Sequence, residues 1–160
     1  MSIDGELVLP EGVRIFPVSE LPPEVRSRID ASDRDYTVTR ERARAPSSVI
    51  DAESAELLES FREPARIVDA VLSFASRRGL DPRSTLEQAY PLLSRLYRGR
   101  WLVPAGSRAA GPIEGELQPG DAIAGFRLMR CLQVVEDNEV WLARDDQGRH
   151  AALKLSLIHI

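Results

Sequence analysis

Phe126-Arg-Leu-Met-Arg-Cys-Leu-Gln133, Glu139-Val-Trp-Leu-Ala-Arg144 and His150-Ala-Ala-Leu-Lys-Leu155 are three apolar-rich runs inside the stretch from Gly125 to Leu155. Their lengths and β-favouring residues predict strands over 126–133, 139–144 and 150–155, joined by two turns. Asp146-Gln147-Gly148 has the chemistry of the second turn, since a glycine there takes a left-handed conformation at little cost. A small antiparallel three-stranded sheet follows, and the rest of the chain is what precedes it.

This stretch resembles the opening of a protein kinase-like domain. In that family the first hairpin covers the nucleotide phosphates, and the third strand carries a lysine in an Ala-x-Lys pattern, here Ala152-Leu153-Lys154. The resemblance implies that Val140 and Ala152 lie against the adenine of ATP, with Leu132 just before the loop on the same side. It implies that Lys154 reaches the α- and β-phosphates, held by a glutamate on a helix following the third strand. With Val140 at the end of the kinase glycine-loop pattern, the glycine positions fall on Gln133, Val135 and Asn138, and none is glycine. Side chains there obstruct the approach of backbone amides to phosphate, and Glu136 and Asp137 add negative charge beside it.

Upstream, residues 12–18 alternate loosely as a strand, and Leu21-Pro22-Pro23-Glu24 opens a short helix reaching toward Ile29. Residues 35–40 and 47–50 pair as a hairpin joined through residues 42–46. Three helices follow. Asp51 caps the first, whose apolar face is Ala55, Leu57, Leu58 and Phe61. Pro64 is expected to open the second at its first position, and Arg77-Arg78-Gly79 closes it. The third begins at Asp81-Pro82 or at the capping box Ser84-Thr-Leu-Glu87 and ends at Gly99. Trp101-Leu-Val103 reads as a last strand.

A hairpin, three helices and a final strand predict a winged-helix-like unit, so the expected fold class is α+β. Ser48-Val-Ile-Asp-Ala-Glu-Ser-Ala-Glu-Leu-Leu58, Arg66-Ile-Val-Asp-Ala-Val-Leu72 and Leu92-Leu-Ser-Arg-Leu96 resemble the PqqD-like family of peptide-recognition domains. That resemblance implies binding of a peptide as an added strand beside the domain's own sheet. The expected organisation is a PqqD-like module over 1–104, a Gly- and Pro-rich linker over 105–120 and a truncated kinase-like lobe over 121–160.

The totals exclude several classes. A net charge of −4 in 160 residues leaves no global basic field for a nucleic-acid backbone or an anionic membrane. The alternating Arg40, Arg42 and Arg44 form a basic wing, which keeps DNA binding as a third, disfavoured reading. No apolar run spans a bilayer, and the start lacks a signal-peptide pattern, so a cytoplasmic protein is expected. Cys131 is the single cysteine and reads as a small half-buried strand residue. With one cysteine and the two histidines His150 and His159, no metal site is expected. Asp145-Asp146 reads as turn chemistry rather than a working carboxylate pair.

The chain therefore reads as the amino-terminal part of a bacterial multidomain, Ser/Thr kinase-like, peptide-modifying protein, of the kind that can precede a lanthionine-synthetase-like region. ATP and Mg are expected only for the complete parent. The catalytic aspartate, the asparagine and the metal-binding aspartate of the kinase pattern are absent, so no catalytic residue is assigned here. Residues after about Ser156 are expected to be non-native. The alternative is a non-enzymatic protein-interaction adaptor with a degenerate kinase-like lobe.

Overall fold

The structure is a computed structural model describing residues 5–44 and 47–157; the chain start, the tail with His159, and Pro46 in the first hairpin connection lie outside these. Among the described residues the fold is α+β, with three small antiparallel sheets and four α-helices. The chain divides into two compact units. Of the described residues, the first comprises 5–40 and 47–112, and the second 41–44 and 113–157.

In the first unit, β1 (Glu6–Val8) is the middle of a three-stranded sheet between β5 (Ala65–Arg66) and β6 (Val103–Pro104). The second sheet has the order β2 (Val13–Pro17), β3 (Tyr36–Arg40), β4 (Ser48–Ile50). Between β2 and β3 lies the single-turn α1 (Pro23–Arg26), with Pro23 in the first turn, where its missing amide costs nothing.

α2 (Ala52–Glu59) begins where Asp51 Oδ1 accepts from the Ser54 amide at 2.7 Å. α3 (Ile67–Arg78) ends at Gly79, whose φ of 66° is the left-handed cap. There Leu80 donates to the Ala75 carbonyl at 2.9 Å and Gly79 to that of Ser76, the paired bonds of a Schellman ending. α4 (Pro82–Arg98) starts at Asp81, whose Oδ2 accepts from the Ser84 amide at 2.8 Å, so the capping box at Ser84 is not used and Glu87 pairs with Arg83 instead. The helix continues through Pro91 to Arg98.

Two expectations need correction here. Pro64 does not open α3: Ala65 and Arg66 pair with Leu7 and Glu6 of β1, which holds them extended and delays the helix to Ile67. The final strand is also shorter than expected. Only Val103 and Pro104 pair, with Val8 and Leu7, while Trp101 and Leu102 are buried in the core as part of the turn leaving α4. That turn depends on Gly99, because a Cβ there would meet Trp101 Cδ1 at 3.0 Å. The core gathers Leu58, Ile67, Val71, Leu93 and Leu96 from the three long helices with Phe61 from the turn after α2 and Leu7 and Val38 from the sheets.

In the second unit β7 (Ala122–Ile123), β8 (Phe126–Val135), β9 (Asn138–Asp145) and β10 (His150–Ser156) form one antiparallel sheet in the order β10-β9-β8-β7. The sheet thus has four strands rather than three. The two-residue β7, paired at Ala122 with Arg127 and at Ile123 with Phe126, is too short to show any period in the sequence. Among the described residues no helix is long and apolar enough to cross a membrane.

Candidate functional site

In the second unit, side chains directly opposed across paired strands share a face, and successive residues alternate. Leu153, Trp141 and Cys131 form one row on the covered face, where Leu128, Trp141 and Ala143 make a small core with Phe126, Leu155 and Leu117 around it. Lys154, Val140 and Gln133 are in register on the other face, as are Ala152, Leu142 and Arg130. The structure therefore brings Val140, Ala152 and Lys154 together on one open face. Leu132 lies in a register irregularity of β8 between Cys131 and Gln133, unpaired and 46% exposed, so strand pairing does not place it with the other three.

The turn between β8 and β9 is Glu136-Asp137, with Glu136 at a φ of 50°, a left-handed conformation that side chains other than glycine rarely adopt. It is held by residues 41–44. The Glu136 amide donates to the Arg42 carbonyl at 2.9 Å, and the Arg44 guanidinium lies 2.8 Å from Asp137. Arg42 also donates to the Ile113 carbonyl at 3.1 Å. Within the first unit, Arg40 donates to the carbonyls of Ala109 and Gly111 at 3.0 and 2.9 Å. The three arginines that suggested a basic wing are thus engaged with carbonyl oxygens and a carboxylate.

One polar group escaped the sequence reading. Glu139 is wholly buried on the covered face. Its Oε2 accepts from the Trp141 indole at 2.6 Å, and its Oε1 from the Glu116 and Leu117 amides at 2.5 and 3.3 Å. A side chain at Gly115 would meet this carboxylate at 3.1 Å, so glycine lets the backbone pass close to it. The signal was in the alternation: Glu139, Trp141 and Ala143 are in phase, which assigns a glutamate to a buried face where it needs donors.

The first unit offers a groove of about 620 Å³. It is lined by Val49 and Ile50 of β4 and by Ala89, Leu92 and Arg95 of α4, with Leu57 and Phe74 among its other lining residues. β4 is the last strand of its sheet, so its outer edge is unpaired within that sheet. Val49 is 37% exposed. Among the described residues no group of three or more His, Cys, Asp or Glu side chains is placed to hold a metal ion. Comparison with family models, curated proteins and solved structures finds no match to this chain.

Proposed function

We propose that the first unit is a peptide-recognition module of winged-helix type, which takes an extended peptide as an added strand at β4. The observation that carries this reading is the open outer edge of β4 bordering the groove with α4. An added strand gains main-chain hydrogen bonds from the edge, and every second side chain of it points into the groove. Leu57, Phe74 and Leu92 give those side chains an apolar floor, while Arg95 and Arg98 supply polar contacts. The resemblance of Ser48–Leu58 and the two later helical phrases to PqqD-like domains supports the same edge.

The test is an anisotropy titration of the full chain with labelled peptides of about 15 residues carrying apolar side chains at alternate positions. Val49→Pro disturbs the extended backbone of the edge strand, and is expected to weaken binding by at least about tenfold. Peptides bound equally well by Val49→Pro, or duplex DNA bound more tightly than any peptide, would overturn the proposal.

For the second unit the favoured reading is the opening of a kinase-like, ATP-binding lobe. Its support is the common open face of Val140, Ala152 and Lys154, in the arrangement expected of adenine neighbours and a phosphate contact. ATP with Mg belongs to the complete kinase-like parent. In the competing adaptor reading this lobe binds no nucleotide, and the tip of the β8–β9 hairpin favours that alternative: it has no glycine, and its Asp137 is paired with Arg44. Saturable ATP binding by the full chain that Lys154→Met abolishes would exclude the adaptor; no binding at millimolar ATP would exclude the nucleotide reading.

A further inference from the structure

The open face of the second sheet has a charge pattern that neither reading above uses. Register fixes its membership: Arg127, Arg130 and Gln133 from β8, Val140, Leu142 and Arg144 from β9, and His150, Ala152 and Lys154 from β10. Four of these are cationic, one is an imidazole, and none is a carboxylate, in a chain whose net charge is −4. Glu139 and Asp145 fall on the covered side. Two of the flanking acids are engaged: Asp121 accepts from the Gln118 amide, and Asp145 from the Gln147 and Arg149 amides and the Arg149 guanidinium.

The cations are concentrated at one end of the face. Arg127, Arg144 and His150 stand directly opposite one another across three strands, about 4.8 Å from strand to strand. The like charges of Arg127 and Arg144 in that relation destabilise a sheet. Among the described residues Arg127 donates to the Gly120 carbonyl at 3.1 Å, a single bond for a side chain with five donors. Arg130 occupies the next row. Lys154 is four residues from His150 along β10, roughly 13 Å away at the rise of an extended strand.

We infer that the Arg127–Arg144–His150 row, with Arg130 beside it, is an oligophosphate-binding site separate from Lys154. Several negative charges within a few ångströms of one another relieve the repulsion in the row, and guanidinium forks match phosphate oxygens in pairs. A nucleic-acid strand fits less well. The face has no Phe, Tyr or Trp on which bases could stack, His150 being its one ring, and a long polyanion would meet the net negative field of the chain. An acidic peptide strand carries single charges about 7 Å apart on one face, more widely spaced than the row. The inference does not depend on adenine lying against Val140 and Ala152.

Calorimetric titration of the full chain with sodium tripolyphosphate, without magnesium, tests it. Saturable binding is expected, weakened about tenfold or more by combining Arg130→Glu with Arg144→Glu, and weakened less by Lys154→Met than by that pair. Arg144→Gln, which removes charge without adding repulsion, is expected to fall between the parent and the double variant and guards against a folding defect. Absence of saturable binding at millimolar tripolyphosphate, equal binding by the double variant, a larger loss in Lys154→Met, or tighter binding of polyglutamate or duplex DNA would each overturn the inference. ATP binding no tighter than tripolyphosphate supports this site and overturns the adenine contact, so the two readings fail separately.

Discussion

Glu139 and Trp141 are two residues apart on β9, point to the same covered face, and are joined by an indole-to-carboxylate hydrogen bond of 2.6 Å. The same carboxylate accepts from the Glu116 and Leu117 amides, so one buried group satisfies donors from a strand and from the segment crossing behind it. Glu139→Ala would leave the buried Trp141 indole without its partner, while the partly exposed Glu116 and Leu117 amides can turn to water. An unsatisfied buried donor costs about 1–3 kcal/mol, so a loss of that size in the second unit is expected. Denaturant unfolding followed by Trp141 fluorescence in a Trp101→Phe background measures it, and a loss below about 1 kcal/mol would show that water replaces the carboxylate.

Gly99→Ala tests the exit of α4. The new Cβ would stand 3.0 Å from Trp101 Cδ1, and the ring is fixed in the core. Overpacking of this kind costs about 1–3 kcal/mol, so a lowered Tm is expected for the first unit. In a Trp101→Phe background, where a smaller ring leaves room, the alanine should cost distinctly less.

Asp145 carries a pH dependence. The Arg149 amide, then the Arg149 guanidinium and the Gln147 amide, hold its carboxyl below the usual carboxylate range. A depressed folded-state value contributes stability that is present above the unfolded value of about 3.9 and is lost as pH falls through the folded one. Amide exchange at Gln147 and Arg149 should therefore quicken only as the solution is taken well below about pH 4. Asp145→Asn should show fast exchange at neutral pH, and identical exchange in parent and variant would remove this account of the β9–β10 turn.

Arg44 and Asp137 form an exposed to half-buried pair at the β8–β9 tip. Such pairs contribute up to about 1 kcal/mol, so Arg44→Ala should scarcely change global stability. Its expected effect is local: faster hydrogen exchange at Glu136, whose amide bonds the Arg42 carbonyl. A drop in stability of several kcal/mol would mean that residues 41–44 hold far more than the tip.

The helices were legible because each carried its own punctuation. Asp51, Gly79 and Asp81 act through bonds to residues within five positions along the chain, and such local chemistry is written in consecutive letters. β8, β9 and β10 were legible from length and alternation, although their ends extend past the expected bounds. The strands that went unread, β1, β5 and β7, have two or three residues and no measurable period. β1 pairs with β6 near the opposite end of its unit, a long-range relation to which no local preference points. The same deficit misplaced the start of α3, since nothing in Pro64-Ala-Arg66 announces a distant partner strand. Of the expected site, strand alternation alone put Val140, Ala152 and Lys154 on one face, whereas the irregularity at Leu132 has no signature in residue types.

The bonding around Pro112 bears on where the chain tolerates added length. Gly111 gives its carbonyl to Arg40 in the first unit, Ile113 gives its carbonyl to Arg42 in the second, and Glu116 and Leu117 give their amides to Glu139. Polymer-like connectors absorb inserted residues at small entropic cost. Here the positions from Ala109 to Leu117 are tied on one side or the other except at Pro112 itself and in Glu114-Gly115, where Gly115 is itself confined by the carboxylate. Extra glycines beside Pro112 should thus be silent, whereas the same insertion between Gly115 and Leu117 would slide the backbone off its buried acceptor. A stretch whose composition suggests slack is indexed residue by residue, and its glycines and prolines set that index.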